Sequence, residues 1–414
     1  MAMPDLLFLA HRIPYPPDKG DKIRAWNVFR YLARSHRMHL GCFIDDPLDR
    51  QHVAELRGYC ADMLCLPINP RFQRLKSLLG LRRGQPLSLG YFHQPRMKRW
   101  VDAKLASGTI KGIYVFSSAM ATYAIHASGV CRVLDMVDVD SEKFAAYAKT
   151  AHFPARAVWA REARTLLAFE RRAAQCFDHS LFVSEHEWQR FVALAPEALS
   201  RTSWVSNGVD LEYFSPAHRF EPPFAGENAA IVFTGRMDYW PNIDAVQWFA
   251  HEVLPALQRR APTARLWIVG AAPSAEVRAL ARLPRVQVTG RVADTRPWLA
   301  AADVVVAPLR IARGIQNKLL EAMAMGRPVV AAPEAFEGVQ AMPGRDILLA
   351  SGVDDTVQKI AEVLDGRHAG IGSAARHAVE SAHQWSVTLH PIDALFGNPD
   401  GVEQSTASQP DLRV

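Results

Sequence analysis

Ala302–Ala332, ADVVVAPLRIARGIQNKLLEAMAMGRPVVAA, changes its pattern three times, and those changes decide the fold. Val304–Pro308 is an apolar, β-branched run, which predicts a strand buried on both faces. Arg313-Gly314 breaks the run. Ile315, Leu319, Ala322 and Met323 then recur at helical spacing and give the next segment a buried side. Gly326 and Pro328 stop that helix, and Val329-Val330 open another strand. Asn317 and Glu321 are i,i+4 and Lys318 and Glu321 are i,i+3, so all three cluster on one side of the first turns. A helix N-terminus entered through Gly314, with Lys318 in its first turn, suits a phosphate. Glu321, one turn further in, can accept two hydrogen bonds from ribose hydroxyls. The pattern fits a nucleoside diphosphate held end-on. An ordinary βαβ unit with a solvated polar face has the same spacing.

The whole chain has 414 residues, too many for one ordinary core and suited to two domains. Hydrophobic residues make up 49% and charged residues 22%, the balance of a globular protein. Cys42, Cys60, Cys65, Cys131 and Cys176 form no CxxC pair, and their number is odd, so reduced thiols fit better than disulfides or zinc. The apolar run Leu6–Ala10 is too short for a signal segment, and no apolar run reaches the length of a membrane span. The expectation is a cytoplasmic protein, at most peripheral on the inner face of the membrane. The net charge of +6 is uneven. Arg71, Arg74, Lys76, Arg82, Arg83, Arg96, Lys98, Arg99, Lys104 and Lys111 have Asp102 as the one carboxylate among them. Residues 71–104 could therefore attract an anionic membrane surface, or form a solvated face. Nucleic acid is disfavoured, because no stacking array or recognised motif accompanies the charge.

From the N-terminus, Asp5–Ala10 is a first strand. Pro14, Pro16 and Pro17 make a loop, Gly20 permits an unusual backbone turn, and Asp21 is placed to cap a helix. No GxGxxG follows, which argues against a dinucleotide. His39–Ile44, Gly112–Phe116, Arg132–Val137 and Ser180–Val183 continue the strands, with an amphipathic basic helix at residues 71–84 and a long helix at 155–177. Asp135, Asp138 and Asp140 end a strand, where open α/β sheets meet their ligands. Ser184 to Glu187 spells a capping box. Pro216, Pro222, Pro223 and Gly226 mark a connector. Ala230–Thr234, Arg265–Val269 and Val286–Thr289 then restart the alternation, with Asn242 a candidate N-cap of the first helix between them. A last helix over about 384–397 precedes a polar tail, 398–414, that reads as disordered.

NKLLEAMAMGRPVVAA resembles the nucleotide-sugar signature of retaining glycosyltransferases with the GT-B fold, the large family 4. FTGRMDYWPNIDAVQWF, VTGRVADTRPWLAAADVVVAPL and NGVD stand in that family's order. DMVDVDSEKF and PLRIARGIQNKLLEAMAMG are similar to sugar transferases associated with exopolysaccharide and exosortase (PEP-CTERM) systems. The resemblance implies an α/β chain of GT-B architecture, with two Rossmann-like domains facing each other across a cleft. It implies an acceptor domain at 1–215, rejoined by the returning last helix, and a nucleotide-sugar domain at 216–383.

The implied activity is transfer of a sugar from a UDP- or GDP-linked donor to a glycan or polyprenyl-linked glycan, with retention and in exopolysaccharide biosynthesis. No cofactor and no metal ion are implied. By the same resemblance Glu321 binds the ribose, and Arg236, after Gly235, grips the diphosphate. Lys318 replaces a lysine that the family carries shortly after that arginine. The backbone at Arg291 and Val292 meets the base, and Gly314, Ile315 and Asn317 line the donor. Lys19 and Gly20 correspond to a glycine-bearing loop over the donor phosphates. Arg313 stands where the family has a sugar-contacting glutamate. Asp138 is the candidate catalytic group of the first domain, where the family often has histidine. A nucleotide-sugar epimerase or hydrolase, or a binding protein without turnover, would share the second domain.

Overall fold

The computed structural model describes residues 3–82, 84–224, 229–312 and 314–397. Arg83, Gly226, Arg313 and the expected tail 398–414 lie outside the described residues. Packing divides the chain into two units, one made by residues through Val205 together with those from Leu389, the other by Ser206–Thr388.

In the first unit, β1 (Asp5–Ala10), β2 (Arg37–Ile44), β3 (Asp62–Pro67), β4 (Ile110–Phe116), β5 (Cys131–Val137), β6 (His179–Phe182) and β7 (Thr202–Trp204) form one sheet in the order β3-β2-β1-β4-β5-β6-β7. Every pairing is parallel. Leu6 to Ala10 are wholly buried, as a parallel strand covered on both faces requires. Gly20–Leu32 packs Ala25, Val28, Phe29 and Leu32 inward. Asp21 does not cap it: Lys19 holds the cap position with no side-chain bond, and Asp21 pairs with Arg12 instead. Gly20 has no left-handed backbone and is simply the first helical residue.

The expected basic helix is broken into Pro70–Ser77 and Leu79–Arg82. Its polar Gln73 and Ser77 face inward while Phe72, Leu75 and Leu78 face out, the reverse of a helix seated on a core. The returning segment is likewise two short helices, Trp385–Thr388 and Pro391–Leu395, not one. From Leu389 it joins the first unit: Tyr31 Oη donates to Asp393 Oδ2 at 2.5 Å, and the Phe396 ring fills the space beside Gly112.

In the second unit, β8 (Ala230–Thr234), β9 (Arg265–Val269), β10 (Val286–Gly290), β11 (Val304–Ala307), β12 (Val329–Ala331) and β13 (Leu348–Leu349) order as β10-β9-β8-β11-β12-β13, again all parallel. The helix Trp240–Trp248 widens into a π turn at Phe249–Val253 before Leu254–Gln258. Pro255 supplies the physical reason, since it cannot donate the next helical bond. Both sheets reverse their strand order once, between β1 and β4 and between β8 and β11. Such a switch point opens a crevice outside the carboxyl ends of the strands.

Candidate active site

The loops after β8 and β11 build the crevice of the second unit. Beyond β8 the chain passes Gly235, whose φ is 154°. A Cβ there would lie 2.8 Å from Asn242 Nδ2 and 3.0 Å from Lys318 Nζ, so glycine lets those two side chains close over the turn. Lys318 Nζ donates to Asn242 Oδ1 at 2.6 Å, and Asn242 Nδ2 donates to the Arg236 carbonyl at 2.8 Å. Asn242 is therefore no N-cap; it sits inside Trp240–Trp248 and holds the lysine against the β8 turn. Lys318 Nζ also lies 4.2 Å from the centre of the Phe233 ring. Burial pushes its ammonium down to about 7, against the pull of the neighbouring Glu321. Burial lifts the Glu321 carboxyl to about 7, against the pull of Lys318. A cation and an anion half-withdrawn from water on consecutive turns form a site poised for a charged ligand.

Beyond β11, Gly314 is buried with φ 59° and Ile315 is buried beside it, so the loop turns directly into the helix Asn317–Ala324. Ile315 precedes that helix and does not belong to it. Asn317 Oδ1 accepts from Asn207 Nδ2 at 3.0 Å. The Asn207 carbonyl lies 3.1 Å from Nδ1 of His383, whose Nε2 accepts the Gln340 amide at 2.8 Å. Because a backbone N–H donates to Nε2, the ring carries its proton on Nδ1 and gives it to Asn207. Burial holds this imidazole below its usual pKa. The relay explains why residues 206–215, expected with the first domain, pack in the second unit.

Arg236 itself reaches sideways and makes a two-pronged contact with Asp238, at 3.0 and 2.6 Å. Arg291 is exposed and Val292 half-buried at the end of β10. The loop beyond them is anchored by Arg296, which pairs with Asp294 at 2.7 Å and lies 3.6 Å from the centre of the Tyr213 ring. The Tyr213 phenol is raised by burial and then by the charges of Asp294 and Glu321, which places this loop beside the Glu321 helix. Gly235, Arg236, Lys318, Glu321, Gly314 and Asn317 thus come together at one switch point. Asn242 and Asn207 are hydrogen-bond partners of these candidate residues that the local patterns did not single out. An N-cap reading hid the first, and a partner 110 residues away hid the second.

In the first unit, Asp135 proves structural: it is fully buried, accepts Arg24 Nε at 2.8 Å and Nη2 at 3.2 Å, and accepts the Tyr114 hydroxyl at 2.6 Å. Asp138 follows Val137, a β-branched residue held at φ 68°. Ser117 at the end of β4 also has positive φ, 81°. Such backbones persist only where surroundings enforce them, and they gather at functional sites. Burial, then Glu187 and Asp140, lift Asp138 to about 7. Glu187 does not complete the capping box. Ser184 Oγ accepts its amide at 3.2 Å, but the Glu187 carboxylate accepts the Val139 N–H at 2.8 Å instead. Lys19 lies 3.9 Å from Asp46, beside Gly20.

Residues 228–366 match the family model described as Glycosyl transferases group 1. No curated protein matches the chain. Among solved structures it is similar to the HepE protein of Anabaena in complex with UDP and glucose, at 17% identity and TM-score 0.65 over 94% of this chain and 98% of that one. It is similar to sucrose-phosphate synthase from Thermosynechococcus elongatus, at 17% identity and TM-score 0.70 over 95% and 98%. WaaG, a glycosyltransferase involved in lipopolysaccharide biosynthesis, superposes with TM-score 0.64 at 16% identity over 95% of this chain and all of the other. The chain therefore has the GT-B fold and carries a Glycosyl transferases group 1 domain. No helix among the described residues is long and apolar enough to cross a membrane.

Proposed function

We propose that this protein is a retaining, metal-independent glycosyltransferase of family 4. Its donor is a nucleoside-diphosphate sugar, and its acceptor is a glycan, lipid-linked at a membrane surface, in exopolysaccharide synthesis. The observation that carries the reading is the Lys318–Glu321 pair at the β8/β11 switch point, held by Asn242. Glu321 accepts the ribose hydroxyls. Lys318 and Arg236 oppose the negative charge that grows on the departing diphosphate, so they stabilise the transition state more than bound donor. The domain match at 228–366 spans these residues, and the similar HepE protein was solved with UDP and glucose. Asp138, part-protonated near neutrality, is the candidate group of the first unit to exchange a proton with the acceptor hydroxyl.

A thermal-shift panel of UDP, GDP and their sugars tests the donor, since a ligand at 100 times its Kd adds about 2.7 kcal/mol. The stabilising donor is then incubated with and without lipid-linked acceptor. Glycan product that appears only with acceptor supports transfer. Donor conversion in its absence identifies an epimerase or hydrolase, and binding without turnover identifies a carrier.

A further inference from the structure

Two segments of the first unit expose apolar side chains that a globular surface ordinarily hides. On Pro70–Ser77 and the turn after it, Phe72 is 62% exposed, Leu75 68% and Leu78 47%, at three-residue spacing along one face. Leu81, in the short helix that follows, is exposed as well. At the start of the helix Ala155–Cys176, Phe153 is 85% exposed, followed by exposed Ala155, Ala157 and Val158. The two segments are neighbours. Arg161 Nη2 donates to the carbonyls of Gly80 and Gln85, and Glu162 accepts the Leu87 and Ser88 amides at 2.7 and 2.9 Å. Val158 precedes Arg161 by one turn, about 5 Å along the helix.

Charge says what covers this face. Residues 63–101 and 143–161 contain no carboxylate at all. Arg71, Arg74, Lys149 and Arg156 are exposed around the apolar groups. Outward apolar side chains set in a one-signed basic field match the boundary between anionic headgroups and acyl chains. A protein partner of the same size would ordinarily bring mixed charge.

We propose that Phe153 with Val158, and Phe72 with Leu75 and Leu78, insert into an anionic bilayer as one two-segment anchor, with Arg71, Arg74, Lys149 and Arg156 at headgroup level. The inference deepens the lipid-linked acceptor reading. Its test needs neither donor nor acceptor, so either reading can fail alone.

Full-length protein is floated with vesicles of phosphatidylglycerol and phosphatidylcholine, or phosphatidylcholine alone, at low and high salt. Partition is expected to favour the anionic vesicles, to weaken with salt, and to fall roughly fivefold in Arg71→Gln or Arg156→Gln, each of which removes one positive charge. Phe153→Ser and the double variant Leu75→Ser with Leu78→Ser should each lower partition at least about tenfold, with unchanged melting temperature and nucleotide binding. Equal partition to both vesicles overturns the proposal. So does wild-type partition by the serine variants, which would leave surface charge alone as the cause. Sedimentation showing a dimer that Phe153→Ser dissociates, without vesicle binding, assigns the face to a second copy and likewise overturns it.

Discussion

Lys318 and Asn242, 76 residues apart, meet over Gly235 at 2.6 Å, and the neutral amide is the hydrogen-bond acceptor given to a half-buried ammonium. An amide holds the lysine in place without supplying the charge that would keep it protonated. Glu321 offsets only part of the effect of burial.

The affinity for free nucleoside diphosphate should therefore depend on pH through Lys318. Its folded pKa of about 7 means that the ammonium is present below neutrality and lost above it. Titration calorimetry from pH 6 to 9 should show weakening nucleotide affinity as pH rises through that value. Asn242→Asp places an anion against the ammonium, raises its pKa and carries the plateau to higher pH, even though the absolute affinity drops. A profile that stays flat across this range in Glu321→Gln protein, where the second group titrating near 7 is gone, would remove Lys318 from the diphosphate site.

Glu321→Ala should delete one or two charge-assisted bonds to the ribose, each worth roughly 1.5–3 kcal/mol, and lower nucleotide affinity by about one to two orders of magnitude or more. Lys318→Ala should weaken nucleotide affinity modestly, as deprotonation does, and Lys318→Ala and Arg236→Ala should both lower kcat more than donor affinity. Calorimetry beside steady-state kinetics separates the two patterns. Unaltered affinity in folded Glu321→Ala protein would mean that Asn317–Ala324 is a packing helix and nothing more.

Transfer should proceed undiminished in EDTA, because fixed cations at the switch point take the place of a divalent ion. Activity abolished by EDTA and restored by Mn²⁺ would move the chemistry to Asp138 and Asp140.

Glu170 offers a stability test outside the site. Its carboxyl is buried, accepts the Ser141 amide at 3.2 Å, lies 2.5 Å from Ser141 Oγ, and is lifted to about 8 by burial and then by Asp140. In the unfolded chain it loses its proton near the usual carboxyl value, while the folded chain keeps it up to about 8. Between those values the unfolded state binds fewer protons, so this group's contribution to stability falls as pH rises. Glu170→Gln should match the wild-type melting temperature near pH 5 and exceed it near pH 8.5. An advantage at pH 5 as large as at pH 8.5 would show that the group does not titrate in this window.

Much of this architecture is legible in local patterns. Val304–Ala307, Arg265–Val269 and Leu6–Ala10 are apolar runs with few alternatives to a buried strand, and all three are strands. The Asn317–Glu321 spacing likewise forecast which side chains share a face. The features that escape local patterns depend on partners far along the chain. Asp21 has the type of a helix cap, but Arg12 competes for it. Asp135 ends a strand as a ligand-binding carboxylate would, but Arg24, 111 residues away, neutralises it. β13 has only two residues and no periodicity to detect. Phe72 and Leu75 carry the spacing of a buried face, and spacing alone cannot tell a row packed on a core from the exposed row that they form.

The Phe396 ring beside Gly112 bears on how the molecule is made. A ribosome delivers Ser206–Thr388 as an uninterrupted piece, able to close its sheet while the chain is still being synthesised. The first unit, begun earlier, lacks Asp393 for Tyr31 and the ring that fills the hollow at β4 until the segment from Leu389 emerges. The half synthesised first is thus the half completed last. A fragment ending at Val205 should come off the ribosome unfinished, whereas one spanning 206–388 holds everything its own sheet requires.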